Sequence, residues 1–291
     1  MLIRRLAFLL LVSVAALPLR AETPMPLPLS PEAPADRSGE VAALSDLLMI
    51  GEVIEVMRVE GIDYGTTLEA ELFPGKGGAQ WQAVVGLIYD PATMRQRFDA
   101  VFAREMAGDA GAIGDAAAFF GDARGQRILQ LELEARRALM DPAAEEAARL
   151  SVQDMEADKA PRLEVLRTFA RTNDLIESNV AGALNSNLAF FQGLAEVGPL
   201  GDEMTEDQML ADVWSQEPEI RAETEEWLFS YLALAYGPLP DDDMQAYQAF
   251  SDSPAGQKLN TALFAAFDVV FTAISRDLGR AAARQMQGED I

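Results

Sequence analysis

The sequence contains no cysteine and no histidine among its 291 residues. Without these two residue types it cannot build a zinc site with Cys or His ligands, an iron–sulfur cluster or a haem ligated by either residue. Ser-His-Asp triads and Cys-His dyads are excluded for the same reason. The remaining chemistry is that of carboxylates, lysine, tyrosine and serine. We therefore predict no cofactor, no metal ligand and no catalytic residue that the sequence alone can single out.

Basic residues are scarce: 23 Lys and Arg stand against 47 Asp and Glu, which gives a net charge of −24. A charge of this sign repels the phosphates of nucleic acids and the headgroups of anionic lipids. We therefore expect no nucleic-acid partner. The absence of basic helix faces also disfavours membrane remodelling by an amphipathic helix.

The N-terminus has the pattern of a secretory signal peptide over residues 1–21. Arg4 and Arg5 precede an apolar run at 6–17, and cleavage is expected after Ala21, although Leu19 at the −3 position is less usual than a small residue and leaves the exact site open. That run is shorter than the roughly 20 residues that a transmembrane helix needs. The pattern predicts a periplasmic or secreted protein with no stable membrane span after cleavage; an uncleaved anchor is the alternative.

Five prolines punctuate residues 22–38 and predict a disordered linker. The body that follows has no alternating β-branched runs, and its apolar residues recur at helical spacing. We predict an all-α fold with two tandem, divergent multi-helix units packed into one helical array or bundle. The first unit covers residues 39–160 and the second unit covers 161–285. The tail, 286–291, is expected to fray.

Local signals place several helix boundaries. Asp90 followed by Pro91 predicts a capped helix start. Asp115 is predicted to cap the next short helix, and Gly61 marks a point where a helix would end or kink.

A motif near the C-terminus, residues 247–259 (YQAFSDSPAGQKL), has a weaker copy in the first unit. Setting Gly256 over Gly125, an offset of 131 residues, aligns the same order of aromatic, glycine, glutamine, basic and aliphatic residues. The aligned pairs are Phe119 with Phe250, Gly125 with Gly256, Gln126 with Gln257, Arg127 with Lys258 and Ile128 with Leu259. This repetition indicates an internal duplication.

The motif has a structural interpretation. Ser253 can cap the last helix, and Pro254 fits its first position. Gly256 then lies in the first turn, where glycine costs about 1 kcal/mol relative to alanine. Close packing of the Phe250 ring or of another helix against Gly256 would offset that cost. Lys258 is poorly placed for the helix dipole and is expected to reach a neighbouring carboxylate.

The motif also carries a family resemblance. In an exported helical protein it resembles the domain of unknown function 2059 family, through Phe250, Ser253, Pro254, Gly256, Lys258 and Leu259. The first copy departs from that pattern, because Asp122 and Ala123 replace Ser-Pro. The resemblance implies an all-helical, envelope-directed protein. It brings no catalytic residues, because the function of the family is itself unassigned.

Two further groups of residues have alternative interpretations. The acidic run at 241–243 could bind calcium, but it lacks the calcium-loop pattern and is better explained as a helix start. Trp214, Trp227, Tyr231 and Tyr236 could line a ligand groove, but their helical spacing among leucines favours a place in the core.

Two functional hypotheses follow. The first is a non-catalytic periplasmic binding or scaffold protein, whose two units form a cleft or surface for an unknown protein or small-molecule partner in the cell envelope. The alternative is a carboxylate-dependent hydrolase or lyase with its site between the units. That alternative requires at least two acids with perturbed pKa values facing one pocket.

Overall fold

The structure, a computed structural model, describes residues 37–197 and 205–288. The predicted signal peptide, the linker up to residue 36 and the last three residues of the tail lie outside the described residues. Ser38 already belongs to the first helix, and the last helix continues to Gln287.

Helices and short turns make up the described ranges, which contain no strand. The all-α prediction is therefore confirmed. The first unit contains α1 (Ser38–Leu47), α2 (Ile50–Leu72), α3 (Gly78–Ile88), α4 (Pro91–Met106), α5 (Ala110–Phe120), α6 (Ala123–Ala138) and α7 (Pro142–Ala157). The second unit contains α8 (Pro161–Thr172), α9 (Leu175–Val197), α10 (Glu206–Ser215), α11 (Glu217–Tyr236), α12 (Asp241–Ser251) and α13 (Pro254–Gln287).

The helices of the second unit repeat the order of α1 to α6. Helices α2 and α9 both have 23 residues, and α5 and α12 both have 11. Helices α4 and α11 both have proline in their first turn. Met49 before α2 and Asp174 before α9 both have a positive φ, of 56° and 45°. Helix α7 has no counterpart and connects the two series.

Helix α13 occupies the centre of the molecule. It packs along α9 of its own unit and against α3, α4 and α5 of the first unit. Its contact with α9 is close, because a Cβ at Gly193 or at Gly279 would lie less than 3.0 Å from the backbone of the opposite helix. The main hydrophobic core therefore runs through both units without a break.

Within the described ranges, α13 is also the one helix with the length and apolar composition of a membrane span. Core helices of soluble proteins share these properties. Here most of its large apolar residues, among them Leu263, Phe267 and Ile274, are buried against other helices.

Of the three helix boundaries predicted from local signals, one is confirmed and two are wrong. Asp90 caps α4 by accepting from the Thr93 amide at 2.8 Å, as predicted. Asp115 does not cap a helix; it lies inside α5, which is capped by Asp109. Gly61 does not end or kink a helix either, since α2 continues through it. The Tyr89 ring packs on the bare backbone at Gly61, so the glycine serves a helix contact that lies far away in the sequence.

Candidate functional site

The two copies of the motif meet face to face. Phe119 at the end of α5 and Phe250 at the end of α12 stack with ring centroids 4.4 Å apart and an angle of 12° between the planes. The corners that lead from α5 into α6 and from α12 into α13 therefore lie side by side. This contact joins the units at equivalent positions of the repeat.

The motif glycines are required by the backbone of the preceding helix. A Cβ at Gly125 would lie less than 3.0 Å from the carbonyl oxygen of Phe119, and a Cβ at Gly256 would meet that of Phe250 in the same way. The close approach expected at Gly256 is present. Its partner is the Phe250 carbonyl group rather than the Phe250 ring.

The helix that follows each corner is capped in the same geometry by different chemistry. The Asp122 carboxylate accepts from the Gly125 amide at 2.8 Å. In the second unit the Ser253 hydroxyl accepts from the Gly256 amide at 3.1 Å, with Pro254 in the first position of α13.

The motif glutamines repeat one pattern of hydrogen bonds. The Gln126 amide donates to the carbonyl group of Phe120 at 2.8 Å and to that of Leu47, the last residue of α1, at 3.2 Å. The Gln257 amide likewise donates to a carbonyl group at the end of α12 and to one at the end of α8. Lys258 has the expected carboxylate neighbour, with 3.7 Å between its Nζ and the Glu105 carboxylate of α4.

Beside the stacked corners lies a cavity of about 80 Å³ with walls from both units. Its lining is mainly apolar and includes Phe120, Leu129, Phe250, Leu259 and Leu263. Polar side chains also border it, among them Glu132, Arg136, Ser251 and Asn260. An apolar pocket with a few converging polar groups is the usual form of a small-molecule site.

Glu132 extends from α6 toward the second unit. Its Oε1 accepts hydrogen bonds from the hydroxyls of Tyr236, at 2.7 Å, and Tyr247, at 3.1 Å. The residue as a whole is half-buried because part of it borders the cavity, whereas its carboxyl group is deep among protein atoms. Burial raises the pKa of Glu132 to about 7, although the two tyrosine hydrogen bonds act in the opposite direction.

The tyrosines around Glu132 stay neutral. Burial, followed by the charge of Glu132, raises the pKa of Tyr231, Tyr236 and Tyr247 well above that of free tyrosine. Tyr231 donates to the backbone carbonyl group of Glu132 at 3.1 Å. Three hydroxyls of the second unit thus fix one turn of α6, and the cluster presents donors rather than bases.

Arg136, one turn after Glu132, is already paired. Its guanidinium binds both carboxylate oxygens of Glu60 on α2, at 3.0 and 2.7 Å. Burial alone would lower the pKa of Arg136, but the charge of Glu60 and its hydrogen bonds together outweigh burial and raise that pKa. The pair therefore closes one wall of the cavity and leaves little free charge for a ligand.

Asn260 is the polar group of α13 at the cavity. The residue is 2% exposed, and neither its Oδ1 nor its Nδ2 has a hydrogen-bond partner in the part of the chain that the structure describes. An unpartnered buried amide costs about 1–3 kcal/mol of stability. Each of the other buried asparagines with an unpartnered oxygen, Asn173, Asn179 and Asn187, uses its Nδ2 as a donor.

The repeat relates the polar positions of the cavity to apolar ones. With the offset of 131 residues, Asn260 corresponds to Leu129 and Glu132 corresponds to Leu263. All four residues line the same cavity. At these two pairs of equivalent positions, α6 and α13 each present one polar and one apolar side chain, in opposite order.

Other predicted candidates lie elsewhere. Residues 241–243 form the first turn of α12, as expected, where Asp241 pairs with Arg162 at 2.9 Å and Asp243 pairs with Arg124 at 2.6 Å. The described ranges contain no group of three or more acidic side chains arranged to hold a metal ion.

The aromatic residues of the second unit divide between core and cavity. Tyr231 and Tyr236 are buried, as expected of core residues, and Trp227 and Tyr231 also line the cavity. The core prediction is wrong for Trp214, which is 59% exposed. Helix α10 buries Met209 and Val213 on its other side, so Trp214 faces solvent.

Sequence reasoning missed Glu132, Arg136 and Asn260. The spacing of α6 offers a signal, because Glu132 lies four residues after buried Ile128 and three before buried Ala135. It therefore falls within the apolar stripe of the helix. Asn260 has the same relation to Gly256 and Leu263. A polar residue at a core position is the feature that identifies both.

Comparisons with family models, with curated proteins and with solved structures give no match to this chain. The resemblance to the domain of unknown function 2059 family therefore rests on the motif residues alone.

Proposed function

We propose that this chain is an exported, non-catalytic binding protein of the cell envelope that takes a small molecule into the cavity between its two units. The carrying observation is Asn260, a buried amide without a partner in a cavity that both units build. A group kept at a cost in stability is common at functional sites. The apolar walls would supply affinity and the few polar groups would supply orientation.

Export is the part of the proposal that rests on the sequence. Cell fractionation should find the chain outside the cytoplasm, and N-terminal sequencing should give a mature start at Glu22. A membrane-bound chain that retains residues 1–21 would instead support the uncleaved anchor.

Occupancy of the cavity can be tested by NMR on the ¹⁵N-labelled mature chain with three neutral probes, propanol, propionamide and butanone. We expect shift changes at residues that line the cavity, and intermolecular NOEs from probe protons to the Leu263 methyl groups. Leu129→Phe should fill the cavity and remove both effects. Leu150→Phe makes the same change on an exposed position of α7 and should leave them intact.

Three results would overturn the binding proposal: no response to any probe at tens of millimolar, responses spread evenly over the surface, or responses unchanged in a folded Leu129→Phe variant. The NOEs are measured on the unmodified chain, so the test stands even where the variant fails to fold.

A carboxylate-dependent hydrolase or lyase is the second candidate, favoured by one observation. The pKa of Glu132, about 7, suits a general acid or base at neutral pH. The cavity lining, however, contains a single acid, whereas hydrolysis of the glycosidase type uses two. Turnover of ester or glycoside substrates that is lost in Glu132→Gln but kept in Glu134→Gln would favour this candidate.

A further inference from the structure

We infer that the cavity selects a small neutral ligand whose polar group both donates and accepts a hydrogen bond, as a primary carboxamide does, and that Asn260 is the residue that selects it. This inference rests on the proposed binding function and specifies the ligand class.

Packing does not require an amide at position 260. The equivalent position of the first unit holds Leu129, which lines the same cavity from the matching helix. Leucine has the same number of side-chain heavy atoms as asparagine, branched at the same carbon, and forms helix more readily. The repeat therefore accommodates an apolar side chain at this position, and Asn260 departs from it at a buried site.

The Asn260 side chain offers a hydrogen-bond donor and a hydrogen-bond acceptor. Its amide has an acceptor oxygen and a two-proton donor side by side, and both are without a partner. A primary carboxamide satisfies the pair with two antiparallel hydrogen bonds. A ketone of the same shape satisfies only the donor and leaves the Asn260 oxygen unpaired.

The charges at the cavity disfavour an anionic ligand. A carboxylate would need a free cation, but the Arg136 guanidinium is held by both oxygens of Glu60. It would also lie in the same cavity as the Glu132 carboxyl group, which is ionised above a pKa of about 7 and would repel it. Apart from Glu132, Arg136 and Asn260, the cavity is bordered mainly by apolar and aromatic side chains, which favour a neutral ligand body.

The volume of the cavity limits the size of the ligand. The cavity volume of about 80 Å³ is smaller than the roughly 150 Å³ that accommodates benzene in an engineered apolar cavity. A ligand group with about five non-hydrogen atoms therefore suits the enclosed part.

Propionamide and butanone test the inference as a matched pair, because they have the same number of non-hydrogen atoms and differ by NH₂ in place of CH₃. By NMR titration we expect propionamide to bind at least about tenfold more tightly than butanone, since the ketone leaves a buried acceptor unpaired. Propionate, the charged analogue, should bind more weakly than propionamide. The Asn260 side-chain NH₂ resonance should shift with propionamide.

Asn260→Leu provides the matched variant and copies the residue of the first unit. It should abolish the preference for propionamide and raise the melting temperature of the unliganded chain, because it removes an unpartnered amide. Asn179→Leu, at a buried asparagine of α9 outside this cavity, should leave the preference unchanged.

The outcomes separate the two proposals. If no probe binds, the binding function itself fails. If propionamide and butanone bind equally, or if a folded Asn260→Leu variant keeps the preference, binding stands and the assigned ligand class is wrong. A lower melting temperature in Asn260→Leu would show that the amide has a structural role, which would also overturn the inference. The NH₂ resonance gives a test on the unmodified chain if the variant does not fold.

Discussion

The corner around Gly125 and the corner around Gly256 share one geometry and differ in chemistry. Both use a glycine against the preceding carbonyl group and a glutamine that binds two helix ends. They differ in the cap, which is Asp122 in the first unit and Ser253 followed by Pro254 in the second. The glycine and the glutamine, which set the path of the backbone, are the same in both corners, whereas the cap, which several side chains can provide, differs.

One turn after each motif glycine, the two helices also differ in the side chains that line the cavity. Helix α6 presents Leu129 and then Glu132, whereas α13 presents Asn260 and then Leu263. This exchange gives a cavity whose walls differ in polarity at equivalent positions of the two units. The repeated positions thus explain how the units meet, and the unrepeated ones carry the candidate function.

The largest expected loss of stability comes from substitution of the two motif glycines, whose surroundings match most closely between the corners. Gly125→Ala and Gly256→Ala should each lower the free energy of unfolding by about 3 kcal/mol or more, because the new Cβ would overlap a backbone carbonyl oxygen that cannot rotate away. Urea denaturation of the two variants measures this directly.

Gly182→Ala in α9 is the control, since a Cβ there meets nothing within 4 Å. It should leave the free energy of unfolding unchanged or raise it by up to about 1 kcal/mol. A large loss for one motif glycine and none for the other would break the equivalence of the two corners.

Glu132 and Leu263 occupy equivalent positions of the two units, but only Glu132 titrates, so its effect on stability depends on pH. Its pKa is raised in the folded state, so between about pH 5 and about pH 8 the Glu132 carboxyl group binds more protons in the folded chain than in the unfolded chain. Glu132 therefore makes the protein less stable as pH rises through this window. With a folded pKa of about 7, the loss amounts to about 2.5 kcal/mol.

Glu132→Gln can still accept from Tyr236 and Tyr247 but does not titrate. The difference in unfolding free energy between variant and wild type should therefore shift in favour of the variant by about 2.5 kcal/mol between about pH 5 and about pH 8. Glu134→Gln, an exposed position on the same helix, serves as the control. A pH-independent difference for Glu132→Gln would show that its carboxyl group stays ionised in the fold.

The sequence was sufficient for the fold class and for the motif because both depend on local rules. Apolar residues at helical spacing, the Asp90 cap and the Ser253 cap each act within a few residues. Gly61 was misread because the reason for a glycine there is the Tyr89 ring, 28 positions away in the chain. Nothing local distinguishes a glycine that ends a helix from one that admits a neighbour.

The site was beyond local rules for the same reason. Glu132 is a charged residue of the kind that usually faces solvent on a helix. Only its position within the apolar stripe of α6 indicates that it is buried. Its hydroxyl partners come from α11 and α12, more than 100 residues away. The cavity itself is lined by residues of several helices, among them α6 and α13, so a pattern within any one helix does not predict it.

The smallest expected effect lies in the caps. Asp122→Ala and Ser253→Ala each remove the acceptor for a first-turn amide and should each lower the free energy of unfolding by about 1 kcal/mol. The two losses should respond differently to salt. The Asp122 carboxylate also interacts with the helix dipole, and this contribution is screened, whereas the Ser253 hydroxyl carries no charge. Raising the salt concentration should therefore reduce the loss in Asp122→Ala and leave that in Ser253→Ala unchanged. Equal salt responses would mean that the two corners differ less in their electrostatics than their sequences indicate.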